Sequence, residues 1–170
     1  TTNTSHQYIL NSAATLSQNI SGNSFTNLNA ATTGAITFIN DAVVVTATGT
    51  QTISSNSIVT GFTTTTTNLS LILANAASAT GAIINCSSNN FSNITASSAS
   101  ALNAFNFAGA SNFPTKTISN NTISNISLLS SSITAINAGP IGGTSSISNN
   151  TLSGYSTTGT ITGISIGAYN

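Results

Sequence analysis

Charged side chains are almost absent from this 170-residue sequence. It contains one Lys, one Asp, one His and no Arg or Glu, whereas charged residues make up about a quarter of an average soluble protein. Nucleic-acid binding needs Lys and Arg to displace counterions from phosphates. A Ca²⁺ or Mg²⁺ site usually needs several acidic oxygen ligands, and a zinc site needs more than one Cys and one His. The composition therefore excludes these classes of function.

Sulfur and long apolar runs are scarce as well. The single Cys86 has no partner for an internal disulfide. The apolar runs Val43–Val45 and Leu71–Ala74 are far shorter than the 18 or so residues that span a membrane. The sequence has no Met and no basic-then-apolar signal segment. We therefore expect a mature chain or an excised part of a longer one.

Small polar residues dominate the sequence, but the apolar content is normal. Ser, Thr and Asn account for 83 of the 170 residues, while hydrophobic residues account for 39%. Disordered chains lack such a supply of apolar residues. Because Ile, Leu, Val and Phe recur every few residues along the chain, we expect a folded domain.

A nine-residue pattern occurs five times and defines the organisation of the chain. Its copies begin near residues 20, 53, 86, 118 and 147, so that the spacings are 33, 33, 32 and 29 residues. In each copy the first and sixth positions hold an apolar residue and the fourth holds Asn. The first positions are Ile20, Ile53, Cys86, Ile118 and Ile147, the sixth are Phe25, Ile58, Phe91, Ile123 and Leu152, and the fourth are Asn23, Asn56, Asn89, Asn121 and Asn150.

This repeat predicts an all-β fold, namely a parallel β-helix (solenoid) of about five coils of 29–33 residues over a single domain, residues 1–170. A second apolar segment follows each pattern, as at residues 69–73 and 161–166, and alternates as a half-buried strand does. Asn tolerates left-handed backbone conformations, so we place the fourth-position Asn at a tight bend. Stacked copies would align these Asn side chains into a hydrogen-bonded ladder. Five coils at roughly 4.8 Å would extend on the order of 24 Å.

The segment ISNNTISNI at residues 118–126 resembles the coil signature of right-handed, pectate-lyase-like β-helices. The Ser/Thr/Asn bias and low charge resemble the repeat regions of large Bacteroidetes surface adhesins, which are exported by the type IX route and serve gliding motility in some species. A second resemblance, carried by GAI at residues 34–36 and 81–83, is to polymorphic autotransporter passengers. The resemblance to Bacteroidetes surface adhesins implies an extracellular, cell-surface structural module. Pectinolytic β-helices use several acidic and basic residues that this chain lacks.

The few reactive residues have ordinary interpretations. Cys86 replaces Ile in its row and predicts a buried thiol. His6 and Asp41 lie at similar phases of the repeat, so a Ser-His-Asp arrangement is conceivable, but we expect a solvated His beside a loop Asp. We expect Lys116 to be a surface charge. The Thr runs at residues 46–50 and 63–67 differ in phase, which argues against an ice-binding face.

The main hypothesis is thus a rigid, structural and adhesive stalk segment without enzymatic activity, metal or cofactor. Its partners would be neighbouring repeats of a longer chain or copies of itself, with surface glycans as a further possibility, and neither nucleic acid nor membrane insertion is expected. The alternatives are a carbohydrate-binding β-helix module, for which Phe105, Phe107 and Phe113 would be candidate aromatics, and a self-assembling extracellular fibre subunit.

Overall fold

A computed structural model describes residues 4–13, 15–28, 30, 32–65, 68–97, 101–109 and 112–169. Within this part of the chain all regular structure is β-strand, and no helix could span a membrane. The strands are β1 His6–Leu10, β2 Ser17–Ser21, β3 Ser24–Phe25, β4 Ile36–Asn40, β5 Thr50–Ser54, β6 Ser57–Ile58, β7 Phe62–Thr64, β8 Leu69–Leu73, β9 Ile83–Ser87, β10 Asn90–Ala96, β11 Leu102–Asn106, β12 Thr115–Ser119, β13 Thr122–Leu128, β14 Ile133–Ile141, β15 Ser146–Ser148, β16 Thr151–Ser156 and β17 Ile161–Tyr169.

These strands form three parallel sheets, which confirms the predicted β-solenoid of about five turns. Sheet 1 has the order β1-β4-β8-β11-β14-β17, and sheet 2 has the order β2-β5-β9-β12-β15. Sheet 3 has the order β3-β6-β10-β13-β16, and β7 also pairs with β10. Each coil therefore passes through sheet 2, then sheet 3, then sheet 1. The second apolar segment of each repeat forms the sheet 1 strand.

The register aligns equivalent repeat positions across every coil. Ile20 pairs with Ile53, Ile53 with Cys86, Cys86 with Ile118, and Ile118 with Ile147. The sixth positions align in the same way from Phe25 to Leu152. The inner coils of both rows are buried, whereas Ile20, Ile147 and Leu152 on the outer coils are only partly buried. The apolar positions of the repeat thus form continuous rows along the axis.

Aromatic rings pack against one another in the interior between sheets 1 and 3. The Phe38 ring lies 5.1 Å from Tyr8, 5.2 Å from Phe25, 5.1 Å from Phe62 and 5.9 Å from Phe91, measured between ring centroids. Most of these contacts are edge-to-face, which suits the ring quadrupoles and is worth about 1 kcal/mol per pair beyond area burial. The rings therefore join successive coils of sheets 1 and 3.

The left-handed residue at the bend between sheets 2 and 3 lies one residue earlier than predicted. Positive φ values occur at the third position of the repeat: 69° at Gly22, 56° at Ser55, Ser88 and Asn120, and 55° at Asn149. The fourth-position Asn residues are not among those with positive φ. A single left-handed residue turns the chain so that the next side chain points inward. The fourth-position Asn therefore lies in the bend, as predicted, but the left-handed conformation belongs to the residue before it.

A second bend, within sheet 3, was not predicted. Left-handed residues recur there at Asn27, Asn93, Asn125 and Gly154, with φ between 50° and 67°. The second coil instead carries one additional residue around Gly61, because Phe62 pairs with Ile94 although Ile58 aligns with Phe91. That insertion explains why β6 and β7 are separate while β10 is continuous.

Candidate functional site

A column of five Asn side chains runs through the interior at the bend between sheets 2 and 3. Each of the first four Asn residues donates its backbone N–H and one Nδ2 hydrogen to the Oδ1 of the Asn in the next coil. For Asn56 the two distances to Asn89 Oδ1 are 3.0 and 2.9 Å, and for Asn89 both distances to Asn121 Oδ1 are 3.0 Å. The same pair of bonds joins Asn23 to Asn56 and Asn121 to Asn150.

The other Nδ2 hydrogen of Asn56, Asn89, Asn121 and Asn150 points to the preceding coil. It donates to the carbonyl of the first repeat position there: Asn56 to Ile20 at 3.0 Å, and Asn89 to Ile53 at 2.9 Å. An inner Asn side chain thereby uses both amide hydrogens and both lone pairs of Oδ1. Buried polar groups are tolerated when all their hydrogen bonds are made, so only Asn fits this position.

Cys86 lies beside this column and is fully buried. Its Sγ lies 3.3 Å from Asn89 Nδ2 and shares one of the two amide hydrogens in a weak three-centre contact. Burial raises the pKa of the thiol, and the Asn89 hydrogen bond opposes this only in part. Because the thiolate is the reactive form, the group acts as a small apolar side chain.

The two formal charges are both buried, at the corner where the chain passes from sheet 1 to sheet 2. The exposed fraction is 0% for Asp41 and 1% for Lys116. The expectation of a surface Lys is therefore wrong, whereas Asp41 does lie in the loop after β4 but is buried there. The repeat alternation of β12 places Lys116 inward, in the same row as Gln51 and Gln18.

Lys116 and Gln51 lie two coils apart, and both donate hydrogen bonds to backbone carbonyls in the interior. Lys116 Nζ donates to the carbonyl of Phe107 at 2.6 Å and also to that of Ala138. Gln51 Nε2 donates to the carbonyl of Asp41 at 2.9 Å. The carbonyls of Asp41 and Phe107 follow directly on β4 and β11, and that of Ala138 belongs to β14. A buried carbonyl needs a donor. Burial lowers the pKa of Lys116 to about 8.

Asp41 has a less complete set of partners. Its Oδ1 accepts a hydrogen bond from Asn11 Nδ2 at 2.7 Å, while Oδ2 has no partner within the described residues. Burial is the largest effect on its carboxyl group and raises its pKa, and the hydrogen bond from Asn11 opposes this only in part. Gln51 Oε1 and Gln18 Nε2 are likewise buried without a partner in the described chain.

The structure does not bring His6 and Asp41 together. His6 begins β1 and pairs with Ile36, whereas Asp41 bonds to Asn11. Five residues of extended chain separate His6 from Asn11, which is roughly 16 Å. The described residues contain no group of three or more His, Cys, Asp or Glu side chains suited to a metal, and no pocket.

The outward face of sheet 2 carries ranks of hydroxyl and amide groups. One row is serine in all five coils: Ser21, Ser54, Ser87, Ser119 and Ser148. The Thr50/Thr52 pair recurs in register as Thr115/Thr117, two coils away. Ile83 and Asn85 occupy the coil between. Thr66 and Thr67 of the second Thr run lie outside the described residues.

Comparison of the chain with protein-family models, with curated proteins and with solved structures finds no match.

The Asn column predicts a large penalty for a single substitution at its centre. Asn89→Ala would leave the buried N–H and Nδ2 of Asn56 without their acceptor. We expect the free energy of unfolding to fall by about 2–4 kcal/mol, measured by denaturant titration. Asn85→Ala, on the outward face, is the matched control and should change it by less than about 0.5 kcal/mol. Equal effects of the two substitutions would contradict the structural role of the column.

Burial of Lys116 predicts a specific pH dependence. The ordinary pKa of 10.5 falls to about 8 on folding, so unfolding takes up a proton between these values and stability rises with pH there. The unfolding free energy of wild type minus that of Lys116→Met should increase by on the order of 2 kcal/mol from pH 7 to pH 10. Denaturant titrations at both pH values provide this difference, in which effects of Cys86 and the tyrosines cancel. A difference independent of pH would show that the ammonium group is solvated.

Asp41→Asn tests the other buried charge. The raised pKa means that the folded chain holds this proton to a higher pH than the unfolded chain, so the contribution of Asp41 to stability decreases as the pH rises above its ordinary value. Asn keeps the shape and the acceptor for Asn11. We expect Asp41→Asn to be more stable than wild type at pH 7, with the gain vanishing near pH 3, by thermal unfolding. An equal effect at both pH values would refute the assignment.

Proposed function

We propose that this chain is a rigid stalk segment of an extracellular, cell-surface adhesin, with a structural rather than an enzymatic role. The observation that carries the proposal is the unbroken Asn column. It couples all five coils along a single axis through bonds of 2.8–3.1 Å. Three parallel sheets run beside it through the same coils.

Such an architecture is well suited to providing length. Each coil contacts its neighbours along the axis, so stability is roughly a sum over coils and their interfaces. Every added repeat lengthens the rod by roughly 4.8 Å without a change in cross-section. A stalk needs this property, whereas a compact domain cannot be extended in this way.

The interactions that hold the coils together are nearly all uncharged. Neutral hydrogen bonds and apolar contacts are not screened by salt as surface ion pairs are, and both formal charges lie inside. A rod of this kind keeps its stiffness when external ionic strength varies, which favours an extracellular location. The resemblance of the repeats to Bacteroidetes surface adhesins points the same way.

The carbohydrate-binding alternative has less support from the arrangement of aromatic residues. Phe105 and Phe107 are buried and Phe113 is half-buried, so none offers an open ring face. Tyr155 directs its hydroxyl to the carbonyl of Ile123 at 2.7 Å. Once these aromatic residues are set aside, the hydroxyl rows of sheet 2 are the groups left for a glycan.

The unequal numbers of strands in the three sheets argue against the fibre alternative. Sheet 1 has six strands, while sheets 2 and 3 have five coils each. If a second copy continued sheets 2 and 3 directly on β15 and β16, its β4 would continue sheet 1 on β17. Its β1, which pairs with β4, would then occupy the position of β17 itself. Plain end-to-end stacking of copies therefore requires one strand to be displaced.

The proposal is tested with antibodies raised against the 170-residue chain. We expect immunogold label on intact, unpermeabilised producing cells, and a surface-fraction polypeptide many times longer than 170 residues on a denaturing gel. Permeabilised cells serve as the control for buried epitopes. Label that appears only after permeabilisation would contradict the surface role, and an external product near 170 residues would favour the fibre alternative over the stalk.

A further inference from the structure

The last coil, formed by β15, β16 and β17, leaves apolar side chains exposed that are covered in every inner coil. Ile161 and Ile164 are 47% and 43% exposed, whereas their partners in the preceding coil, Ile133 and Ile136, are fully buried. Ile166 is 52% exposed. The three sheets also end here, with β15, β16 and β17 as their outer strands.

The Asn column ends in the same coil with unused hydrogen-bonding groups. Asn150 Oδ1 accepts both bonds from Asn121, and its Nδ2 donates to the carbonyl of Ile118 at 2.9 Å. In the inner coils the backbone N–H and a second Nδ2 bond go forward to the next Asn. Among the described residues, Asn150 has no such acceptor.

The backbone carbonyl of Asn150 also differs from those of the inner ladder residues. In the inner coils the carbonyl of the ladder Asn accepts the N–H of the residue that follows the next Asn, as from Thr122 to Asn89 and from Thr151 to Asn121, both at 2.8 Å. Within the described part of the chain, the corresponding carbonyl of Asn150 accepts no such bond. Two donors and one acceptor therefore face outward at a fixed geometry.

We propose that this C-terminal end is a docking site for one further coil that carries the same pattern, with Asn three residues after one apolar residue and two before the next. The incoming Asn would offer Oδ1 to the two donors of Asn150, and its own Nδ2 would donate to the carbonyl of Ile147. Its apolar residues would cover Ile147 and Leu152. The direction is set, because a reversed strand would bring neither the Oδ1 nor the following N–H into place.

This proposal names a partner for the structural role above and rests on it. The occupant is an extended segment that carries the repeat pattern and not a globular protein. The reason is that the exposed apolar and hydrogen-bonding groups of the last coil are the same ones that each inner coil presents to the next coil. The occupant is also not a second copy of this chain stacked directly on the end, because the β1 strand of that copy would then occupy the position of β17.

A peptide with the sequence of residues 115–137 is the probe, since it contains one strand for each sheet. We expect the fluorescently labelled peptide to bind the intact 170-residue chain saturably in an anisotropy titration. Hydrogen exchange should show new protection of the backbone amides in β15, β16 and β17. The matched peptide Asn121→Ala keeps every apolar residue but loses the ladder bonds, and it should bind at least about tenfold more weakly.

Asn23→Ala in the protein is the control for the opposite end and should leave the affinity unchanged. Three results would overturn the proposal: no saturable binding of the wild-type peptide, equal affinity of the two peptides, or protection of β1, β2 and β3 with loss of binding in Asn23→Ala. None of these results bears on whether producing cells display the chain, so failure here and failure of the stalk proposal remain distinguishable.

Discussion

The structure depends on one interaction, the hydrogen-bonded column of Asn side chains at the bend between sheets 2 and 3. Each coil must turn sharply there, and the turn leaves backbone groups inside that adjacent strands do not satisfy. A side chain with two donors and a two-fold acceptor can satisfy the coil above and the coil below at once. Asn meets this requirement at the reach that the bend allows, which is why it occupies all five positions.

The column also explains how the repeats tolerate different lengths. The spacings of 33, 33, 32 and 29 residues vary in the loops, while the residues from the first to the sixth position keep their register. The additional residue at Gly61 is absorbed locally, and Phe62 returns to the row of Ile94. Length variation is therefore confined to places where no axial row passes.

The part of the fold that follows from axial stacking could be predicted from the sequence. The coil period and the solenoid fold are visible in the sequence, because each row of side chains along the axis places the same type of residue at a nearly regular spacing in the chain. The left-handed position was missed because Gly, Ser and Asn all occupy it, so no single residue type marks it. β1 was missed because no repeat copy precedes it.

The burial of the two charges could not be inferred from residue type. Lys and Asp are usually exposed, and their inward direction is visible only once the alternation of β12 and the corner after β4 are known. Lys116 replaces Gln51 two coils later as the donor to the corner carbonyls. Two chemically different side chains thus donate to equivalent backbone carbonyls. A comparison of residue types does not reveal this equivalence.

Hydrogen exchange of the Asn side-chain amides, followed by NMR, tests the central claim most directly. If the column holds the coils together, the Nδ2 protons of Asn56, Asn89 and Asn121 exchange as slowly as the most protected backbone amides of β9 and β12. The amides of outward residues such as Asn19 and Asn85 exchange at close to the solvent rate. Ladder amides that exchange as fast as these surface amides would contradict the account, since the column would then be open to water.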